Sequence, residues 1–284
     1  MQRLIVGVDG STGSHHALEW AASIAVCGHC ELELLQVVTP HQAPTGDAAS
    51  QLLERWRHAL PSRCASRTVV MAGEPVDTLA KAAEEADADL LVLGSRGAGG
   101  FAGLHVGSVL RHLAAHTTVP LAVVPPTAEL GVRSLVVGAD DSPASGDALR
   151  FAIVLAGCLG APITAAFGCH PGVAGPERGD PRRWKRTAEE HLRRWAAPVE
   201  AAGIRLRVRV EADPSVHPPA AVRYALQEAP GSVAVCGTQG QHGIDALALG
   251  GARGAPLELV RRTHHAVVLV PPSERAGTTV SGTP

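Results

Sequence analysis

The hydrophobic positions of this chain fall into two alternating kinds of segment. Residues 4–8, 32–38, 68–71, 90–94 and 119–124 are short runs dense in Leu, Val and Ile. Continuous apolar runs bounded by Gly, Pro and polar residues predict strands covered on both faces. Between them the apolar residues take helical spacing. Ala17, Leu18, Ala21, Ala22 and Ala25 share one helical face behind Ser14, the expected N-cap. A polar, Pro-bearing stretch over 39–50 precedes a helix over 51–60, Pro75 opens a helix over 74–86, and a last helix spans 109–116. Strands alternating with helices predict βαβ units, hence a parallel sheet with helices on both faces.

The pattern then restarts. Leu135-Val136-Val137-Gly138-Ala139-Asp140 repeats residues 4–9, and Asp140-Asp141-Ser142 echoes Asp9-Gly10-Ser11. Residues 148–152 echo 17–21, residues 233–237 repeat 90–94, and residues 266–272 repeat 120–126 with their paired prolines. Position 135 answers to position 4 but position 266 to position 120, so the copies differ by insertions. Two tandem domains are expected, over 1–128 and 132–273, with a polar and disordered tail over 274–284.

Composition narrows the class. Of 284 residues, 45% are hydrophobic and 18% charged, which is globular. A net charge of −2 offers no global attraction to nucleic acid, and none is expected as a partner. Six cysteines are too sparse for a disulfide framework, and the chain enters its first strand without a signal-like segment, so a reduced, cytoplasmic setting is expected. Residues 151–169 are apolar enough to imitate a membrane span, but Gly160 and Pro162 break the run between a helix and a strand.

The stretch from Leu90 to Val109 carries the candidate chemistry. A buried strand ends in a loop with Gly94 and Gly97, and nine residues later Gly107-Ser108-Val109 opens a helix. Glycines allow a ligand close to backbone amides, and a helix N-terminus offers unpaired N–H groups and a favourable dipole. Taken alone, such a loop reads equally as a βα turn or as an anion site.

Gly94, Gly97, Gly107 and Ser108 complete the pattern Gly-x₂-Gly-x₉-Gly-Ser. With Gly7-Val8-Asp9-Gly10-Ser11 and the Pro-flanked last strand, the chain resembles the universal stress protein family as two domains in tandem. The resemblance implies α/β domains, each an open five-stranded parallel sheet sandwiched by helices, of the adenine-nucleotide-hydrolase-like kind. It also implies an ATP site, with or without Mg, at the carboxyl ends of strands one and four. There Asp9 and the Val37 backbone would meet the adenine end. Gly94 and Gly97 would admit the ribose and phosphates, and Gly107, Ser108 and Val109 would donate to the phosphate chain. In this family the last strand commonly pairs domains edge to edge, so a tandem chain is expected to form an internal pseudo-dimer, with or without a further homodimer.

The second copy departs from the pattern. Asp140, Gly237, Gly240 and Gly250 keep their places, but Gly251 stands where Ser108 stands, and Phe167 is read as the counterpart of Val37. Pro256 suggests that the following helix starts later. Arg253, long enough to reach a phosphate, is the candidate replacement for the lost hydroxyl. Binding is therefore expected chiefly in the first copy.

Other chemistry is weaker. Cys27-Gly28-His29-Cys30 follows a helix, the wrong end to lower a thiol pKa. His15-His16 point to different faces of a helix, His264-His265 before a strand face opposite sides, and no zinc spacing is present. The basic cluster from Arg182 to Arg194 reads as a solvated helix face. No Walker A pattern exists, and His112, one turn beyond Ser108, is the nearest candidate base. The expected function is an ATP-binding, stress-responsive regulator with at most slow hydrolysis. The alternatives are a nucleotide-independent dimerising scaffold and a slow ATPase of the same fold.

Overall fold

The computed structural model describes residues 1–39, 46–97, 107–140, 142–168, 181–211, 218–238 and 255–273. The first half runs β1 (Arg3–Val8), α1 (Thr12–Gly28), β2 (Glu31–Val38), α2 (Gly46–Ala59), β3 (Ser66–Ala72), α3 (Pro75–Glu85), β4 (Leu90–Gly94), α4 (Ser108–His116) and β5 (Leu121–Val124). The second runs β6 (Ser134–Gly138), α5 (Pro143–Leu159), β7 (Ile163–Gly168), α6 (Pro181–Trp195), α7 (Ala197–Ala201), β8 (Leu206–Glu211), α8 (Pro218–Gln227), β9 (Ser232–Gly237), α9 (Ala255–Arg262) and β10 (Val267–Val270).

Among the described residues ten strands form one sheet in the order β3-β2-β1-β4-β5-β10-β9-β6-β7-β8. Each half is a five-stranded parallel sheet, and the halves meet where β5 pairs antiparallel with β10, Ala122 opposite Val268. The internal pseudo-dimer is thus built by edge-strand pairing, which also removes two exposed edges.

Helices cover both faces because the central strands are apolar on both, whereas the edge strand β8 alternates apolar and charged residues. Leu4, Val6 and Val8 face α1, α2, α5 and α6, whereas Ile5, Leu91 and Leu93 face α3, α4, α8 and α9. Leu4, Ile5 and Val6 are fully buried, as are Leu135, Val137 and Ile163 in the second half. Each such side chain contributes about 1.5–3 kcal/mol relative to exposure. The apolar run 151–169 divides as its glycine suggests: α5 stops at a left-handed Gly160 (φ 64°), and β7 follows.

Two local expectations are corrected. The N-cap of α1 is Ser11, whose Oγ accepts from the Ser14 amide at 3.1 Å. Ser14 instead lies buried in the first turn, its Oγ donating to the Ser11 carbonyl at 3.0 Å. Ser142 and Ser145 repeat the arrangement at α5. In addition, α2 begins at Gly46, within the stretch expected to be loop.

Candidate nucleotide site

In the first half β1 and β4 are neighbours, and the chain leaves them toward opposite faces, into α1 on one side and α4 on the other. Such a divergence opens a crevice at the carboxyl ends of the strands. A cavity of about 480 Å³ lies there, and Asp9, Val37, Gly94, Gly97, Gly107, Ser108 and Val109 all line it.

The three motif glycines serve different purposes. A Cβ on Gly94 would sit 2.8 Å from the carbonyl carbon and oxygen of Gly13, and one on Gly13 would sit 2.6 Å from the Arg96 oxygen. These glycines interlock the β4 exit with the first turn of α1. A Cβ on Gly97 would run into Asp9 Oδ2, so this glycine makes room for a carboxylate. Around Gly107, by contrast, a Cβ meets no described atom within 4 Å. Its backbone (φ −65°, ψ 157°) does not require glycine either. Nothing in the described protein accounts for a missing side chain at Gly107. Among the described residues this space is open, and Gly107 lines the cavity.

Gly107 is the N-cap of α4 and supplies no side-chain cap. The Arg111 amide bonds the Gly107 carbonyl at 3.1 Å, so the amides of Ser108, Val109 and Leu110 precede the first intrahelical bond. They and the helix dipole make this end of the cavity favourable to an anion. Arg96 is the one cation and Asp9 the one anion among the described lining residues. Asp9 Oδ1 accepts from the Ser11 amide at 3.0 Å and the Ser11 hydroxyl at 2.6 Å, which orients the exposed carboxylate. The opposite walls, Leu35, Val37, Pro75 and Leu79, are apolar. A ligand with a flat apolar body and an anionic end matches this polarity gradient. His112 is not among the lining residues; its Nδ1 donates to the Ser108 carbonyl at 2.9 Å within the helix.

Arg96, Leu35 and Leu79 were not singled out by sequence reasoning. The Arg96 signal was its place between Gly94 and Gly97. Leu35 and Leu79 carry no motif, and only the packing of β2 and α3 brings them in.

The profile of the universal stress protein family matches residues 1–125 and again residues 131–271. The chain belongs to this family. Universal stress protein Rv1996 of Mycobacterium tuberculosis is 34% identical over 195 residues, which span 57% of this chain and 61% of that protein. The matched stretch therefore covers less than two thirds of that relative. Universal stress protein Rv3134c of the same organism is 31% identical over 252 residues, 84% of this chain and 89% of its own. The crystal structure of a universal stress protein from Archaeoglobus fulgidus matches the fold with a TM-score of 0.72 over 95% of this chain and 98% of that one, at 21% identity.

Both universal stress protein domains keep the scaffold of the site. In the second, Asp140 Oδ1 accepts from the Ser142 amide at 3.0 Å and from the Ser142 hydroxyl, as Asp9 does from Ser11. A Cβ on Gly237 would lie 2.5 Å from the Ala144 oxygen, the counterpart of the Gly94–Gly13 contact. Beneath it Cys236 stands against Gly138 where Leu93 stands against Gly7, and burial pushes its thiol up to about 12. Gly240, Gly250 and Arg253 lie outside the described residues. Among the described residues the helix after β9 is α9, from Ala255, five positions past Gly250, whereas α4 begins directly after Gly107.

One alignment is corrected. Leu4 pairs with Leu32 and Leu135 with Ile163, so the counterpart of Val37 is Gly168, not Phe167. Phe167 takes the place of Gln36 and packs on the opposite face, with α5 and α6. A one-residue slip in a strand exchanges its faces. The wall that Val37 supplies in the first domain is thereby a glycine in the second.

Proposed function

We propose that the first domain binds an adenine nucleotide, ATP foremost, and that the bound state alters the chain's contacts with partners in a stress response. The observation that carries this reading is the open space at Gly107 beside three helix-terminal amides, at the polar end of a cavity with apolar walls. Leu35, Val37 and Leu79 suit a purine ring, and Asp9 suits an amino or hydroxyl donor. The amides of Ser108 and Val109, the Ser108 hydroxyl and Arg96 suit phosphate oxygens, with or without a Mg ion among them.

The antiparallel β5–β10 pair bears on the scaffold alternative. The strand contact through which two separate domains would associate is already made within the chain, so a homodimer needs another surface. Among the described residues no helix is long and apolar enough to cross a membrane.

The test is to denature the purified protein, identify any released nucleotide by mass spectrometry, and titrate the nucleotide-free protein with ATP by calorimetry. Release of adenine nucleotide or saturable binding with about one site per chain is expected. No released nucleotide together with no heat up to millimolar ATP would sink the proposal. Steady-state phosphate release separates the slow-ATPase alternative, which requires multiple turnovers.

A further inference from the structure

The Cys27–Cys30 spacing suggests a local dithiol, but the fold gives Cys30 a different neighbour. Cys27 lies exposed in the last turn of α1, whereas Cys30 is buried where β2 begins. Cys158, near the end of α5 in the other domain, is half-buried. A point at the Cβ position of Gly28 lies 3.0 Å from Cys30 Sγ and 3.6 Å from Cys158 Cβ. The Cys30 sulfur therefore lies no farther from the Cys158 Cβ than those two distances combined. Met1 touches both thiols: its carbonyl accepts from Cys30 Sγ at 3.4 Å, and its nitrogen lies 3.6 Å from Cys158 Sγ. Among the described residues no group of three His, Cys, Asp or Glu is placed to hold a metal ion.

We infer that Cys30 and Cys158 are a redox pair that closes into a disulfide between the two domains when the protein meets a peroxide. The reaction begins at Cys158, the more accessible sulfur; burial holds the Cys30 thiol up and slows its direct oxidation. Cys158 attacks the peroxide, the O–O bond breaks, and one water leaves as the sulfur becomes a sulfenic acid. Cys30 then attacks that sulfur, its proton leaves with the hydroxyl as a second water, and the S–S bond forms. Two hydrogens are lost from the chain and hydrogen peroxide is reduced to two waters. The bond ties the α1–β2 corner to the end of α5, helices that already pack together in one core. Because it closes a long loop of chain, it restricts the unfolded state strongly.

Hydrogen peroxide on the full chain should lower the intact mass by about 2 Da and raise Tm, both reversed by dithiothreitol. After non-reducing trypsin digestion, the peptide of residues 4–55 should be joined to that of residues 151–178. These peptides also hold Cys27 and Cys169. The link should therefore persist in the Cys27→Ser/Cys169→Ser double variant and vanish in Cys158→Ser. Absence of the cross-link from the peroxide-treated wild type, its loss in the double variant, or its survival in Cys158→Ser would each overturn the inference. The double variant keeps the test decisive if Cys158→Ser does not fold. Neither outcome depends on nucleotide binding.

Discussion

The division of labour among the motif glycines makes Gly107→Val the sharpest test of the site. At φ −65° and ψ 157° a β-branched residue is comfortable, and no described atom lies within 4 Å of the new Cβ. Replacing glycine stiffens the unfolded chain by about 0.4–1 kcal/mol. Valine is a poorer N-cap than glycine, by a loss of about the same size. The two offset, so Tm should move by no more than about 3 °C. Binding should respond differently. Two methyl groups beside the Ser108 and Val109 amides would hold a phosphate away from at least one charge-assisted hydrogen bond. Such a bond is worth about 1.5–3 kcal/mol, or roughly 10- to 150-fold in Kd. Gly94→Ala is the control. Its Cβ would press on the Gly13 carbonyl at 2.8 Å and the Ser14 amide at 3.2 Å, backbone atoms that cannot rotate away. Overpacking of this kind costs about 1–3 kcal/mol, so Tm should fall by several degrees. Calorimetry with ATP and thermal unfolding read the two effects separately. A folded Gly107→Val protein that binds ATP with the wild-type Kd would refute the reasoning, since phosphates would then not approach that helix end.

Other outcomes follow from single contacts. Ser11→Ala removes the α1 cap and the hydroxyl bond to Asp9 Oδ1 while keeping the amide bond, and should cost about 1 kcal/mol in urea unfolding; an unchanged midpoint would show that the cap is redundant. Ala122→Pro, in the middle of β5, removes a backbone donor from a strand paired on both sides, where proline is not tolerated, and should lower Tm sharply. Cys236, raised from its ordinary 9.0 to about 12 by burial, should resist iodoacetamide at neutral pH until the protein unfolds. Since its folded pKa exceeds the unfolded one, its contribution to stability is present below pH 9 and lost as pH rises toward 12. Equal stability of wild type and Cys236→Ala across that alkaline range, each relative to its own neutral-pH value, would contradict this.

Much of the site was legible because it is local. Asp9 at the end of a strand, and Gly107-Ser108 at the start of a helix, are set by runs of a few residues whose hydrogen bonds close within one or two turns. The polar loop over 39–50 was less legible, since the first turn of α2 at Gly46 has too few apolar residues to reveal its period. The Ser14 cap was misplaced for a related reason. Two serines three positions apart fit the same capping rule, and the choice of Ser11 is tied to Asp9, which its amide and hydroxyl also engage.

The chain's own pattern of residues was sufficient for the duplication, the alternation of strand and helix, and the Gly-x₂-Gly-x₉-Gly-Ser motif from Gly94 to Ser108. Those features depend on periodicity and backbone freedom, which are properties of short windows. It was not sufficient to tell a glycine that interlocks loops from one that leaves space, because the difference lies in what faces each Cβ: Gly13 at Gly94, Asp9 at Gly97, and open cavity at Gly107. Nor did it make Gly168 rather than Phe167 the counterpart of Val37, a matter of register across strands. Cys158 beside Cys30 is the clearest case. Their meeting depends on β5 pairing with β10 and α1 packing near α5, contacts between residues more than a hundred positions apart, which no local pattern encodes.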